Sequence, residues 1–167
     1  MRFALPILLL AAPALPAFAD AHVGPRMTGE IMSPDGASMG SISLFETDSG
    51  VIRINIQATG LEPGGHGVHL HETGSCEDGG KAAGGHIAGD AMHGLVEGGP
   101  HPGDLPNGFV EEDGVLSMEA LTDRIDIATL MDEDGSAFVI HAGPDDYESQ
   151  PSGDSGDRVG CAVLEEG

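Results

Sequence analysis

The chain has 167 residues, with 28 Asp and Glu against six Lys and Arg and a formal charge of −22. So acidic a surface weighs against nucleic acid or an anionic membrane as a partner. Aromatic content of 4% with no tryptophan leaves only a modest apolar core, so a covalent or metal staple would be useful.

The first residues, MRFALPILLLAAPALPAFADA, have the form of a secretory signal peptide: Arg2, an apolar stretch from Phe3 to Ala12, and Ala17-Phe18-Ala19 as a small-x-small cleavage site. The apolar run is short and interrupted by Pro6, Pro13 and Pro16, unlike a membrane span. Residues 1–19 are therefore expected to be removed, and 20–167 to form one domain. Loss of Arg2 leaves five basic against 28 acidic side chains, a charge of −23. A second cleavage site after Ala21 would make His22 an amino-terminal copper ligand, with no motif to support it.

The remaining chain reads as all-β. Strands are predicted over 27–33, 39–46, 51–58, 65–72, 115–121, 124–130, 136–141 and 159–164, several with period-two alternation, as in Ile52-Arg53-Ile54-Asn55-Ile56. Turn signals separate them, among them Pro34-Asp35-Gly36, Asp48-Ser49-Gly50, Asp113-Gly114 and Asp134-Gly135. The last two lack the spaced acids of a calcium loop. Short, evenly spaced strands indicate a sandwich or closed barrel. Two long irregular segments, 73–107 and 142–158, break the rhythm, and loops of that length in a compact domain are usually functional or disordered. Cys76 and Cys161 are the only cysteines; in an oxidising compartment they are expected to pair, closing a loop of roughly 85 residues that is worth on the order of 4 kcal/mol.

Seven potential metal ligands recur along these elements: His69, His71, His86, His93, His101, Asp104 and His141. His69 and His71 form an H-x-H pair, and on a strand residues i and i+2 face the same side, so two imidazoles can share one copper or zinc ion. His66 has the opposite parity and reads as a structural histidine bonded to backbone. His86, His93, His101 and Asp104 lie on a Gly-rich loop that can wrap three imidazoles and a carboxylate around a tetrahedral ion such as zinc. His141 ends an apolar strand; alone it would be a core histidine. Asp145 and Asp146 are either turn residues or acceptors for ligand imidazoles. Arg158, three residues before Cys161, is either a surface ion pair or a fixed cation that binds an anion.

The stretches GLEPGGHGVHLHETGSC (60–76), AAGGH (82–86), GPHPGDLPN (99–107) and DGSAFVIHAGPDDYESQPSGDSGDRVGC (134–161) resemble the secreted bacterial copper–zinc superoxide dismutases. The resemblance implies an eight-stranded Greek-key β-barrel with two long functional loops, in the periplasm. It implies copper on His69, His71, His86 and His141, and zinc on His86, His93, His101 and Asp104, with His86 bridging the two. It makes Asp145 a carboxylate linking His69 to His93, and Cys76–Cys161 the family disulfide. It makes His86 the proton donor and Arg158 the guide for superoxide, two molecules of which become dioxygen and hydrogen peroxide. Partners so implied are superoxide, a copper donor in maturation, and a second subunit if the chain is a homodimer rather than a monomer. The interval HIAGDAMH (86–93) is one residue shorter than is usual in the family, which predicts a displaced His93; Val68 replaces a usual aromatic and Ala162 a common glycine. The competing readings are a metal-binding protein without turnover and a metal-free structural sandwich.

Overall fold

The computed structural model describes residues 26–167. The expected signal peptide, both cleavage sites and His22 lie outside the described residues. Nine strands form one antiparallel sheet: β1 Arg26–Met32, β2 Ser38–Glu46, β3 Ile52–Thr59, β4 Gly64–His66, β5 Val68–His71, β6 Gly108–Val110, β7 Val115–Thr122, β8 Ser136–His141 and β9 Arg158–Glu166. Their spatial order is β4-β6-β7-β3-β2-β1-β9-β8-β5. The first three strands form a meander, with β9 returning beside β1 and β7 beside β3, in the Greek-key manner. The two strands at opposite ends of the sheet, β4 and β5, are consecutive in the chain and joined through Gly67, so the barrel is nearly closed by a covalent link.

The all-β barrel is the fold expected, with three changes in its parts. The run 65–72 is two strands, because at Gly67 the backbone changes partners: its N–H donates to Gly143 O (2.8 Å) and its carbonyl accepts from His141 N–H (2.8 Å). A side chain there would meet Ser155 and His69, so glycine is needed. Strand β6 is too short to show alternation; it pairs with β4 and touches β7 at Val110 and Leu116. The strand predicted over 124–130 is instead a helical turn, α1 Ile127–Leu130. Asp126 caps it by accepting from Thr129 N–H (2.8 Å), and Ile127 and Leu130 point inward at helical spacing.

The strands bury one face inside the barrel. Ile52, Ile54, Ile56 and Ala58 of β3 alternate with more exposed neighbours and meet Leu44, Leu116, Phe138 and Ile140 in the main core. Strand β8 is buried on both faces. Phe138 and Ile140 face the barrel interior, whereas Ala137 and Val139 pack outside it with Ala83, Cys161 and Cys76 in a second, smaller cluster. Strand β5 divides in the same way: Val68 and Leu70 belong to the main core, and their neighbours His69 and His71, opposite Val139 and Ala137, stand on the other face. This outer wall is where the loop of residues 72–107 folds down, pinned by the Cys76–Cys161 disulfide with its Cα atoms 5.8 Å apart.

Replacing both cysteines with serine is expected to lower unfolding free energy by about 2–5 kcal/mol. Urea unfolding checks this; an unchanged midpoint would show that the loop is held by its other contacts alone.

Candidate metal centre

Strand β5 ends the sheet, so one of its edges has no strand beside it. The long loop fills that edge. Ile87 N–H donates to Leu70 O (2.9 Å), Leu70 N–H to Gly103 O (2.9 Å) and Glu72 N–H to Gly85 O (3.0 Å). His86 thereby bridges to His71, and Asp104 to His69, in backbone register. Gly103 is required there because a Cβ would collide with Leu70 O. The loop delivers its ligand types to the strand's histidines by backbone pairing, and all seven side chains named above are buried.

Hydrogen bonds determine where the ring protons sit. His71 Nδ1 donates to Gly84 O (3.1 Å), His141 Nδ1 to Gly156 O (3.1 Å) and His69 Nε2 to Asp145 Oδ2 (2.8 Å). A neutral imidazole has one N–H, so the other nitrogen of each ring is a bare lone pair. Those atoms, His69 Nδ1, His71 Nε2 and His141 Nε2, are buried without partners, as is His86 Nε2. The four lie within 4.8 Å of one another. Burial keeps these rings neutral, lowering His69 and His141 to about 4 and His71 to about 2.

A second set meets at Asp104. Its Oδ1 lies 2.9 Å from His86 Nδ1, 3.1 Å from His93 Nδ1 and 3.2 Å from His101 Nδ1, the last without hydrogen-bond geometry. His93 Nε2 already donates to Asp145 Oδ1 (3.0 Å), so its Nδ1 turns a lone pair toward a carboxylate oxygen. Two acceptors at that distance repel unless a cation lies between them. Metal–ligand bonds of about 2.0–2.1 Å give a tetrahedron with edges near 3.3 Å, close to these three separations. The donors therefore suit metal ions, and His86, with a nitrogen in each set, joins them.

Burial raises Asp104 and Asp145, but hydrogen bonds outweigh it. His86, Gly94 N–H (2.9 Å) and the neighbouring imidazoles hold Asp104 well below the usual carboxylate range. His69, Tyr147 N–H and His93 bring Asp145 to about 2. Asp145 thus hydrogen-bonds a ring of each set, His69 and His93. Asp146 is a turn residue, accepting from Glu148 and Ser149. His66 faces the carbonyls of His141 (2.6 Å) and Glu62 (2.8 Å) and belongs to neither donor set. His93 reaches the second set across the short 86–93 interval: its distance to Asp104 falls between those of the other two rings. Arg158 donates to Gly80 O (2.5 Å) and Gly84 O (2.6 Å), and lines a depression of about 470 Å³ with Lys81, Asp78 and Asp157.

Residues 38–164 match the copper/zinc superoxide dismutase (SODC) family. The chain belongs to that family. It is 36% identical over 147 residues to the copper–zinc superoxide dismutase of Caulobacter vibrioides, covering 82% of this chain and 84% of that one. It is 38% identical over 144 residues to superoxide dismutase [Cu-Zn] 2 of Aquifex aeolicus (81% and 84%). Among solved structures, the copper/zinc superoxide dismutase of Brucella abortus superposes with a TM-score of 0.70 at 29% identity, over 84% of this chain and 99% of that one. A superoxide dismutase-like protein of Bacillus subtilis, in a double mutant with a tyrosine and a proline changed to histidine, superposes at 0.76 with 36% identity, over 81% and 95%. Copper and zinc are the metals that this family implies, and the two donor sets fit them.

Sequence reasoning missed the supports of this centre. Asn107 grips Asp145 with both ends of its carboxamide, Nδ2 to Asp145 O (2.8 Å) and Oδ1 from Asp145 N–H (2.8 Å), while Tyr147 Oη accepts from Asn107 N–H (2.7 Å). Gly94 lies at φ 78°, where a side chain would strike Tyr147 O. Asn107 and Tyr147 lie within the stretches quoted above, but nothing in the sequence singled them out as supports.

The metal-free protein should be acid-sensitive. Unfolded histidines titrate near 6.5, above the folded values of His69, His71 and His141. The unfolded chain then binds more protons, and stability falls as pH drops from about 6.5 toward 4, by up to about 1.4 kcal/mol per pH unit for each histidine. Asp145 extends the loss below pH 3.8. Urea midpoints of apoprotein at pH 7, 6 and 5 check this; a level midpoint would contradict it.

Proposed function

We propose that the chain is exported, is processed to a domain beginning at residue 20, and dismutates superoxide with copper held by His69, His71, His86 and His141 and zinc by His86, His93, His101 and Asp104. The observation that carries this reading is the pair of complete donor sets sharing His86. When bound, copper supplies the one-electron redox chemistry that turns two superoxide anions into dioxygen and hydrogen peroxide, while zinc supplies charge and orientation.

The chain's own residues do the rest. His86 holds a proton at Nε2 when that nitrogen is free and gives it to the departing peroxide as a general acid, its ring fixed through Nδ1. Asp145 sets the ring orientation of His69 and His93 at once. Arg158 supplies a positive charge tied in place by two backbone carbonyls, against a net charge near −23 that repels the anion. Remote charges are screened beyond roughly 8–10 Å, so the local field decides capture. Periplasmic residence, a copper donor in maturation, and a monomer or homodimer complete the proposal. A metal-binding protein without turnover would need no anion guide, and the tethered Arg158 speaks for the enzyme.

Metal analysis and a superoxide-consumption assay on one purified sample test it. The expected result is one copper and one zinc per chain, matching the two donor sets, with superoxide removed far faster than it decays unaided. Copper-loaded protein that leaves superoxide at its spontaneous rate would end the proposal. Arg158→Ala should lower kcat/KM by roughly tenfold or more with copper content unchanged; an unchanged rate would remove Arg158 from the guiding role.

A further inference from the structure

The loop carrying His93 has no regular structure around it, yet His93 is held on every side. Its ring meets Asp104 and Asp145, and the next residues bond to Asp104 through Gly94 N–H and to Tyr147 O through Leu95 N–H (2.7 Å). Its backbone is closed by one side chain. Gln150 Oε1 accepts from His93 N–H (2.9 Å) and Gln150 Nε2 donates to His93 O (2.8 Å), the same reciprocal pair that one strand makes with another. The carboxamide is itself oriented by Nε2 donating to Glu148 O (3.0 Å). Gln150 is exposed, so its removal takes no packing from the core.

We propose that Gln150 is a positioning residue for the second metal site: it fixes the backbone of His93 so that Nδ1 stays at Asp104 across the short 86–93 interval. The inference rests on reading His93 as a zinc ligand. A ring fastened at both nitrogens still swings about its Cα if the peptide on either side drifts, and Gln150 blocks that drift from both sides. It also ties the loop that holds Asp145 and runs into Arg158 to the loop that holds His86, His93, His101 and Asp104, so the two loops are ordered together.

Two variants of the full chain separate this role from bulk stability. Gln150→Ala removes both bonds. Gln150→Glu keeps shape and the acceptor for His93 N–H but sets an oxygen against His93 O. Each protein is stripped of metal and reloaded with zinc against a competing chelator, and separately with cobalt(II), whose visible spectrum reports coordination geometry. Both variants should lose about tenfold or more in zinc affinity and shift the cobalt spectrum, with copper affinity and the urea midpoint of the apoprotein unchanged. Parent-like zinc affinity and cobalt spectrum in both variants would overturn the proposal. So would a lowered apoprotein midpoint with a parent-like spectrum, which is the mark of a merely structural residue. His93→Ala is the control: if it binds zinc as the parent does, the zinc assignment fails first, whereas loss in His93→Ala without loss in the Gln150 variants defeats the Gln150 role alone.

Discussion

Bare imidazole nitrogens buried against one another are the constraint on which the rest of this structure turns. His69, His71 and His141 each have one nitrogen committed to an oxygen acceptor, which leaves the opposite lone pair pointing at its neighbours' lone pairs with no proton and no protein partner. An unsatisfied buried polar atom costs about 1–3 kcal/mol, and several of them in one cluster approach the whole stability of a small domain. Such a cluster is costly in a folded chain, and ions that accept lone pairs relieve that cost. Metal affinity and fold stability are therefore one quantity in this protein, seen from two sides.

The barrel provides that cluster through strand parity. On β5 and β8 alternate side chains go to opposite faces, so the residues that seal the main core, Val68, Leu70, Phe138 and Ile140, determine by default that His69, His71, Ala137 and Val139 face outward. That outer face would be exposed without the loop of 72–107. The disulfide, the small cluster of Ala83 with Ala137 and Val139, and the backbone pairing along β5 hold the loop down. The two donor sets thus lie between the barrel wall and a loop that is covalently stapled to it.

This division explains what could be read from the amino acids and what could not. The H-x-H pair was legible because a strand has period two, and a single register decides the direction of every side chain on it. The disulfide was legible because only two cysteines are present. The stretch 124–130 was misread because Ile125 and Ile127 satisfy strand alternation while Ile127 and Leu130 satisfy helical spacing, and only the Asp126 cap breaks the tie. Nothing local distinguishes Asp145 from Asp146; the resemblance did. Asn107, Tyr147 and Gln150 carry no periodic signal at all, since each bonds the backbone of a residue on a different loop, and that adjacency exists only once the barrel has brought the loops together.

The acidity of the chain looks opposed to an anionic substrate, and distance reconciles the two. Exposed carboxylates act through water, where a unit charge at 10 Å is worth only about 0.4 kcal/mol before ionic screening reduces it further. In the proposed role Arg158 acts close to the donor sets, partly buried, where the effective dielectric is lower and the same charge at contact is worth several times more. Its position is not left to a flexible side chain, because Gly84 O accepts both from its guanidinium and from His71 Nδ1–H. One carbonyl oxygen thus fixes the Arg158 guanidinium relative to the His71 ring. The acidic exterior can serve solubility without penalty to capture, as long as that carbonyl, and the stapled loop that carries it, stays in place.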